Sequence, residues 1–200
     1  AGLKEFFAAE WPSSAAVWAP AGEAPAPDSL FKNPDLAATW QRIVDEAAAT
    51  DAAEGSRWLE IQVDPTSYAP FVGGITPALE IVLDEAARAG ERHGIGVGVV
   101  VAASRLRHPF DARTLARLAA KNAGGVVGFG LRNDERRGDT SAFAPAFRIA
   151  RNAGLASLPH GGELLGADAV SETLDALQPV NLVISPGPGH PLHDAGISMA

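Results

Sequence analysis

"IGVGVVVAASRLRHPFDARTLARLAAKNAGGVVGFGL", residues 95–131, is the stretch that decides the fold. It opens on an unbroken apolar run (95–103) and closes on a second one (126–131). Between them, residues 111–125 read as a helix with Asp111 at its N-cap and Gly as its terminator. The apolar runs are continuous, not alternating. That is the pattern of parallel strands covered on both faces.

The alternation continues outward in both directions. "RWLEIQV" (57–63) reads as a strand. "TPALEIVLDEAARAGERHG" (76–94) reads as a helix with Thr76 at the N-cap, Pro77 beside it and Gly94 at its end. "SAFAPAFRIARNAG" (141–154) is a helix that tolerates Pro145 near its first turn. "LASLP" (155–159) is a strand and "ADAVSETLDAL" (167–177) a helix. "NLVIS" (181–185), "HPLHDAG" (190–196) and "ISMA" (197–200) read as a strand, a short helix and the start of another strand. Upstream, Leu36, Trp40, Ile43, Val44 and Ala47 recur at helical spacing over 35–53. Residues 11–35 are rich in Pro, Ala, Ser and Gly and read as a loop. The expectation is a single α/β domain over 1–200. An irregular and helical part (1–56) leads into repeated βα units (57–200).

Such units build either a (β/α)8 barrel or a doubly wound sheet. No G-x-G-x-x-G follows the first strand and no Walker-type loop occurs. The glycines of "GIGVGV" therefore read as packing positions inside a strand. Polar residues gather at the strand C-termini: Glu60 and Asp64, Ser104 and Arg105, Asn133 to Glu135, His160 and Glu163. In a βα barrel that rim is where chemistry sits, because several strands deliver side chains to one mouth. This favours a (β/α)8 TIM-type barrel, incomplete in these 200 residues because such a barrel takes about 250.

Composition narrows the function classes. The hydrophobic fraction is 46% and the net charge −8, with 13 Arg against 3 Lys. The basic residues are scattered, so no basic stripe marks a nucleic-acid partner. The absence of Cys excludes disulfides, thiolate metal sites and thiol catalysis. No apolar run approaches the length of a membrane span, and the first residues lack a basic stretch followed by an apolar one. A cytoplasmic protein with no membrane partner is expected.

Three constellations carry chemistry-bearing residues. In "LASLPHGGELLG" (155–166) a strand ends on His160, Gly161, Gly162 and Glu163. An imidazole at a strand end can ligate a metal, a nearby Glu can move protons, and the glycines let a ligand approach. A His-Gly-Gly turn beside a solvated Glu fits the spacing equally. In "VVGFGLRNDE" (126–135) the acidic pair after Asn133 could bind substrate, but a loop satisfying its own backbone is the favoured reading. His190 and His193 stand i, i+3 in a segment where Pro191 favours a helical first turn over a metal pair. His93, before Gly94, suits a helix C-terminus, and His108 lies in a loop before Pro109.

In this order the motifs resemble those of the adenosine deaminase family of zinc aminohydrolases. "VVGFGLRNDE", a helix containing "FAPAFRIARNAGL", and "SLPHGGE" look like the family's central block, in which V-V-G-[hydrophobic]-D-L-x-G-x-E precedes H-A-G-E. "WLEIQVDP" is similar to the family's Y-x-E-x-R-x-x-P strand, and "SRLRHP" to the Arg-containing end of the next. "NLVISPGPG" and "HPLHDAGISMA" resemble the later strand and the His-Pro helix. The resemblance covers residues 57–200 in patches.

It implies a (β/α)8 barrel holding one Zn2+, which lowers the pKa of a bound water and supplies hydroxide near neutral pH. Hydroxide attacks the ring carbon bearing the amine, and ammonia leaves an adenine-type nucleoside. Carried onto this chain, His160 is a zinc ligand and Glu163 the proton donor. The backbone at Asn133 meets the purine edge, and Gly162 also contacts substrate. Departures accompany the match. Neither the family's H-x-H nor its G-H-G strand occurs, and the chain stops before the expected Asp-Asp. Gly130 replaces Asp, Asn133 replaces Gly, and Gln62 replaces Arg. The favoured explanation is a portion of a longer protein, because the losses fall where whole elements belong. The alternative is a homologue that has lost zinc and serves as a purine-binding or protein-interaction module.

Overall fold

The computed structural model describes residues 2–19, 22–23 and 34–179. The strand, helix and strand expected over 181–200, with His190 and His193, lie outside the described residues.

Four strands form one fully parallel sheet, and their order in space is their order in the chain. They are β1 (Trp58–Val63), β2 (Gly96–Ser104), β3 (Val126–Arg132) and β4 (Ala156–Pro159). A doubly wound sheet reverses its strand order at a switch point. Here every strand is added on the same side of the last, as in a barrel. The described residues are four successive βα units of the (β/α)8 fold, and the choice left open by the apolar runs falls to the barrel.

The helices between strands are α5 (Ile75–His93), α6 (Pro109–Lys121) and α7 (Ala144–Asn152), and α8 (Ala167–Leu177) follows β4. The core lies between these helices and one face of the sheet. Val99, Val101 and Ala103 of β2 and Phe129 and Leu131 of β3 belong to one buried cluster with Leu79, Leu115 and Phe147. Phe129 and Phe147 meet edge to face, with ring centroids 5.1 Å apart. Burying one such ring contributes about 1.5–3 kcal/mol. A smaller cluster of Ala48, Ala89 and Ile95 seats α3 (Pro34–Ala53) on α5.

The opposite face of the sheet is glycine-rich, and Trp58 explains why. A Cβ at Gly96 would lie 2.3 Å from Trp58 Cε3, and one at Gly98 2.7 Å from Trp58 Cζ2. The glycines of "GIGVGV" are indeed packing positions: they make room for an indole. Higher on this face, a Cβ at Gly130 would lie 3.1 Å from Gln62 Oε1. Gln62 thus occupies the space that a side chain at 130 would take.

Several local expectations are corrected. Part of the stretch read as a loop is helical: α2 (Pro12–Trp18) follows α1 (Gly2–Glu10). Pro12 sits in the first turn, where its missing N–H is not needed. The helix expected from Thr76 starts at Ile75 after Gly74. The helix expected from Asp111 starts at Pro109, because His108 Nδ1 accepts the Phe110 N–H at 3.2 Å and is the cap. The helix expected at 141–154 begins as a 3-10 turn, Thr140–Phe143, capped by Asp139, before α7 takes over. After β1, a 3-10 turn (Pro65–Ser67) and α4 (Ala69–Val72) lead into α5. Among the described residues, no helix is long and apolar enough to cross a membrane.

Candidate active site

Each strand delivers a polar residue just beyond its C-terminal end, and hydrogen bonds tie these residues to one another. After β1, buried Asp64 accepts the Thr66 N–H at 3.0 Å and its hydroxyl at 2.6 Å through Oδ1. Its Oδ2 accepts Arg132 Nη2 at 2.9 Å. That pair joins the ends of β1 and β3 across β2. At the end of β2, Ser104 Oγ accepts Asn133 Nδ2 at 2.8 Å and the Leu106 N–H at 3.2 Å. Glu60 does not belong to this rim. It sits mid-strand opposite Gly98 and accepts Trp58 Nε1 at 3.0 Å.

Asn133 adopts φ +76°. This is the left-handed region, which Gly enters without cost and Asn more readily than most other residues. The replacement of Gly by Asn at this position therefore keeps the backbone path. The next two residues divide. Asp134 turns back to its own loop, accepting the Arg136 N–H and guanidinium at 2.8–3.1 Å. The hydrogen bond from Arg136 is the main cause holding its carboxyl below the usual range. This is the local satisfaction expected of the loop. Glu135 does something else. It is 8% exposed, and its carboxylate reaches the loop after β4. Oε2 accepts the Gly162 N–H at 2.7 Å, and Oε1 accepts the N–H of Leu165 at 2.6 Å and that of Leu164.

The β4 loop is held from a second side by Arg105. This residue is buried, and its Nη2 donates to the His160 carbonyl at 2.6 Å and its Nη1 to Thr140 Oγ1 at 2.9 Å. Burial presses its guanidinium below the usual pKa, while Glu135 and Glu172 oppose the shift. The His160 N–H donates to the Leu131 carbonyl at 2.9 Å, extending the β3–β4 ladder by one residue. His160 and Glu163 are exposed at the end of this anchored backbone. Between them, the two glycines are pressed against α8. A Cβ at Gly161 would lie 2.4 Å from Thr173 Oγ1, and one at Gly162, where φ is +80°, 2.2 Å from Val170 Cγ2. The close approach that requires glycine is that of a helix.

The structure thus brings Asn133, Glu135, His160, Gly162 and Glu163 to one end of the sheet. Sequence reasoning missed the reach of Glu135 and the grip of Arg105. Both stand just after strands, but nothing in their spacing signals partners 27 to 55 residues away. A catalytic zinc takes three or more protein ligands. Among the described residues, no group of three His, Cys, Asp or Glu could hold a metal ion. His160 alone does not make a zinc site.

Residues 35–182 match the adenosine deaminase family. A putative adenosine/adenine deaminase of Streptomyces coelicolor is 60% identical over 139 residues, 69% of this chain and 40% of that protein. An adenine deaminase of Rhizobium johnstonii is 32% identical over 146 residues, 72% of this chain and 44% of that protein. The chain therefore spans about two fifths of the length of these relatives. An amidohydrolase of Burkholderia ambifaria, solved with bound Zn, superposes with a TM-score of 0.62 at 23% identity, covering 88% of this chain and 51% of that one. The family match over residues 35–182, with the barrel order of the strands and the His-Gly-Gly-Glu loop after the fourth of them, shows that the chain belongs to the adenosine deaminase family.

Proposed function

We propose that the whole protein hydrolyses the exocyclic amine of an adenine-type base or nucleoside, releasing ammonia, with Glu163 as the proton donor to the ring. The observation that carries the proposal is the anchored loop after β4. It presents an exposed Glu163 while its backbone is fixed by Glu135 and Arg105. A group that transfers a proton in a transition state must be held in hydrogen-bond reach of the accepting atom, and a fixed backbone under a free carboxylate meets that need. Asn133 and Gly162, on the two loops facing each other across β3 and β4, are assigned to the purine edge. The Gly162 N–H is already donated to Glu135, so its contact with substrate would be made by its carbonyl or Cα.

Zinc enters this proposal through His160 as one ligand. The remaining ligands would come from residues outside those described. The zinc-bound Burkholderia relative and the family match support this assignment.

The test is a panel of adenine, adenosine and adenine nucleotides, scored by loss of adenine absorbance and by ammonia released, with metal content measured on the same sample. The expected result is turnover of at least one compound, about one zinc per chain, and a fall of about 10²- to 10⁴-fold in kcat for Glu163→Gln. Near wild-type turnover by Glu163→Gln would remove Glu163 from the role. Purine binding without turnover, in a protein free of metal, would replace the enzyme by a purine-binding module.

A further inference from the structure

We infer that Glu135 is a positioning residue for the reaction, acting through Glu163. The inference rests on the deaminase reading and adds a residue to it. Glu135 is buried, and burial of a carboxylate is costly unless hydrogen bonds to the charged form replace its water. Three backbone N–H groups do so: those of Gly162, Leu164 and Leu165. They lie on both sides of residue 163, so one carboxylate fixes the backbone before and after the proposed proton donor. The Glu163 side chain is left exposed. The carboxylate belongs to the loop after β3 and the amides to the loop after β4, 27 to 30 residues later. The contact therefore also sets the distance between the Asn133 side of the mouth and the Glu163 side.

Chemistry makes the carboxylate hard to replace. All three partners are donors, and Glu⁻ is acceptor-only. In Glu135→Gln one oxygen becomes an NH2, so a donor faces a backbone donor at Gly162 or at Leu164 and Leu165. The side chain keeps its size while the clamp loses part of its grip. Glu135→Asp keeps the charge but draws it back by one methylene.

The experiment combines kinetics and amide exchange on the whole protein, with Glu135→Gln, Glu163→Gln and the double variant. Glu135→Gln is expected to lower kcat by about 10- to 100-fold, the scale of a misplaced catalytic group. Exchange of the Gly162, Leu164 and Leu165 amides should accelerate, while amides of β2 and β3 stay protected. Because Glu135 acts through Glu163, the double variant should be no slower than Glu163→Gln alone. Glu135→Asp should recover part of the kcat. Wild-type kcat in Glu135→Gln, unchanged exchange at the three amides, or losses that multiply in the double variant would each overturn the inference. So would faster exchange throughout β2 and β3, which would mark a general loss of fold. If the unmutated protein turns over no adenine-type compound, the deaminase reading fails. The exchange data then decide by themselves whether Glu135 holds the loop.

Discussion

At the N-terminal end of the sheet, the face away from the helices is filled by a side chain lying over backbone: the Trp58 indole on Gly96 and Gly98. At the C-terminal end of the same strands, the groups are held by charge: Asp64 on Arg132, Glu135 on three amides, Arg105 on the His160 carbonyl. Contact with an indole is non-directional and tolerates small shifts. A carboxylate accepting three N–H groups fixes positions within tenths of an ångström. The first arrangement suits stability and the second suits chemistry, which is the division expected of the two ends of a βα barrel.

Crowding each end in turn separates the two arrangements. Gly162→Ala places a methyl 2.2 Å from Val170 Cγ2 at a backbone angle that L-residues avoid. Strain and overpacking together should lower stability by about 2–4 kcal/mol. The displaced loop should also depress kcat in the molecules that remain folded. Gly98→Ala crowds the other end, with a methyl 2.7 Å from Trp58 and 2.9 Å from Val127 Cγ2. Trp58 is 53% exposed and has room to yield, so the expected loss is smaller, about 1–3 kcal/mol. Its kcat per folded molecule should match the unmutated protein. Urea titration and active-site-normalised rates read both outcomes. A depressed kcat in Gly98→Ala would mean that the two ends are coupled and the division is false.

The strands and helices were legible because burial imposes their pattern. The runs of β2 and β3 are continuous because both faces are covered, one by helices and the other by side chains of the sheet itself, and a run is visible in one dimension. The rim was legible as a list of residues, since chemistry-bearing groups fall where apolar runs stop. Its wiring was not. Asp134 and Glu135 are adjacent and chemically alike, yet one satisfies Arg136 two residues away and the other a loop 27 residues on. Which of two neighbouring carboxylates turns inward depends on the path of the backbone through the turn, and no spacing rule contains it. The caps failed for a similar reason. His108 is an unusual N-cap, and Asp111, the expected one, stands inside the first turn. Helix α2 lay hidden because its Pro suits a helical first turn as well as a loop.

A smaller effect separates backbone from side chain at the rim. Asn133 contributes a left-handed conformation and a hydrogen bond to Ser104. Asn133→Gly removes the bond and adopts the conformation freely; Asn133→Ala removes the bond and leaves an L side chain in the left-handed region. The difference between the two variants, about 1–2 kcal/mol in favour of Gly, isolates the cost of the positive φ. Equal stabilities would mean that the turn relaxes to a negative φ and that the geometry of this rim is less fixed than its hydrogen bonds indicate.

The smallest expected effect tests whether charge also matters away from the mouth. Asp45 of α3 accepts His93 Nε2 at 2.8 Å and pairs with Arg92, both in the last turn of α5, just before β2. The hydrogen bond from His93 is the first cause lowering the Asp45 pKa, with Arg92 adding to it and partial burial opposing. A carboxyl whose pKa is depressed on folding stabilises the fold above its unfolded pKa, 3.8. That contribution disappears as pH falls through the folded value. Asp45→Asn should therefore be slightly less stable than the unmutated protein at neutral pH, and the gap should close below pH 3.8. The pair is partly exposed, so added salt should narrow the neutral-pH gap as well. A gap that persists at low pH would locate the effect in packing between α3 and α5. The N-terminal end would then rest on contact alone, and the contrast with the charged rim would be sharper still.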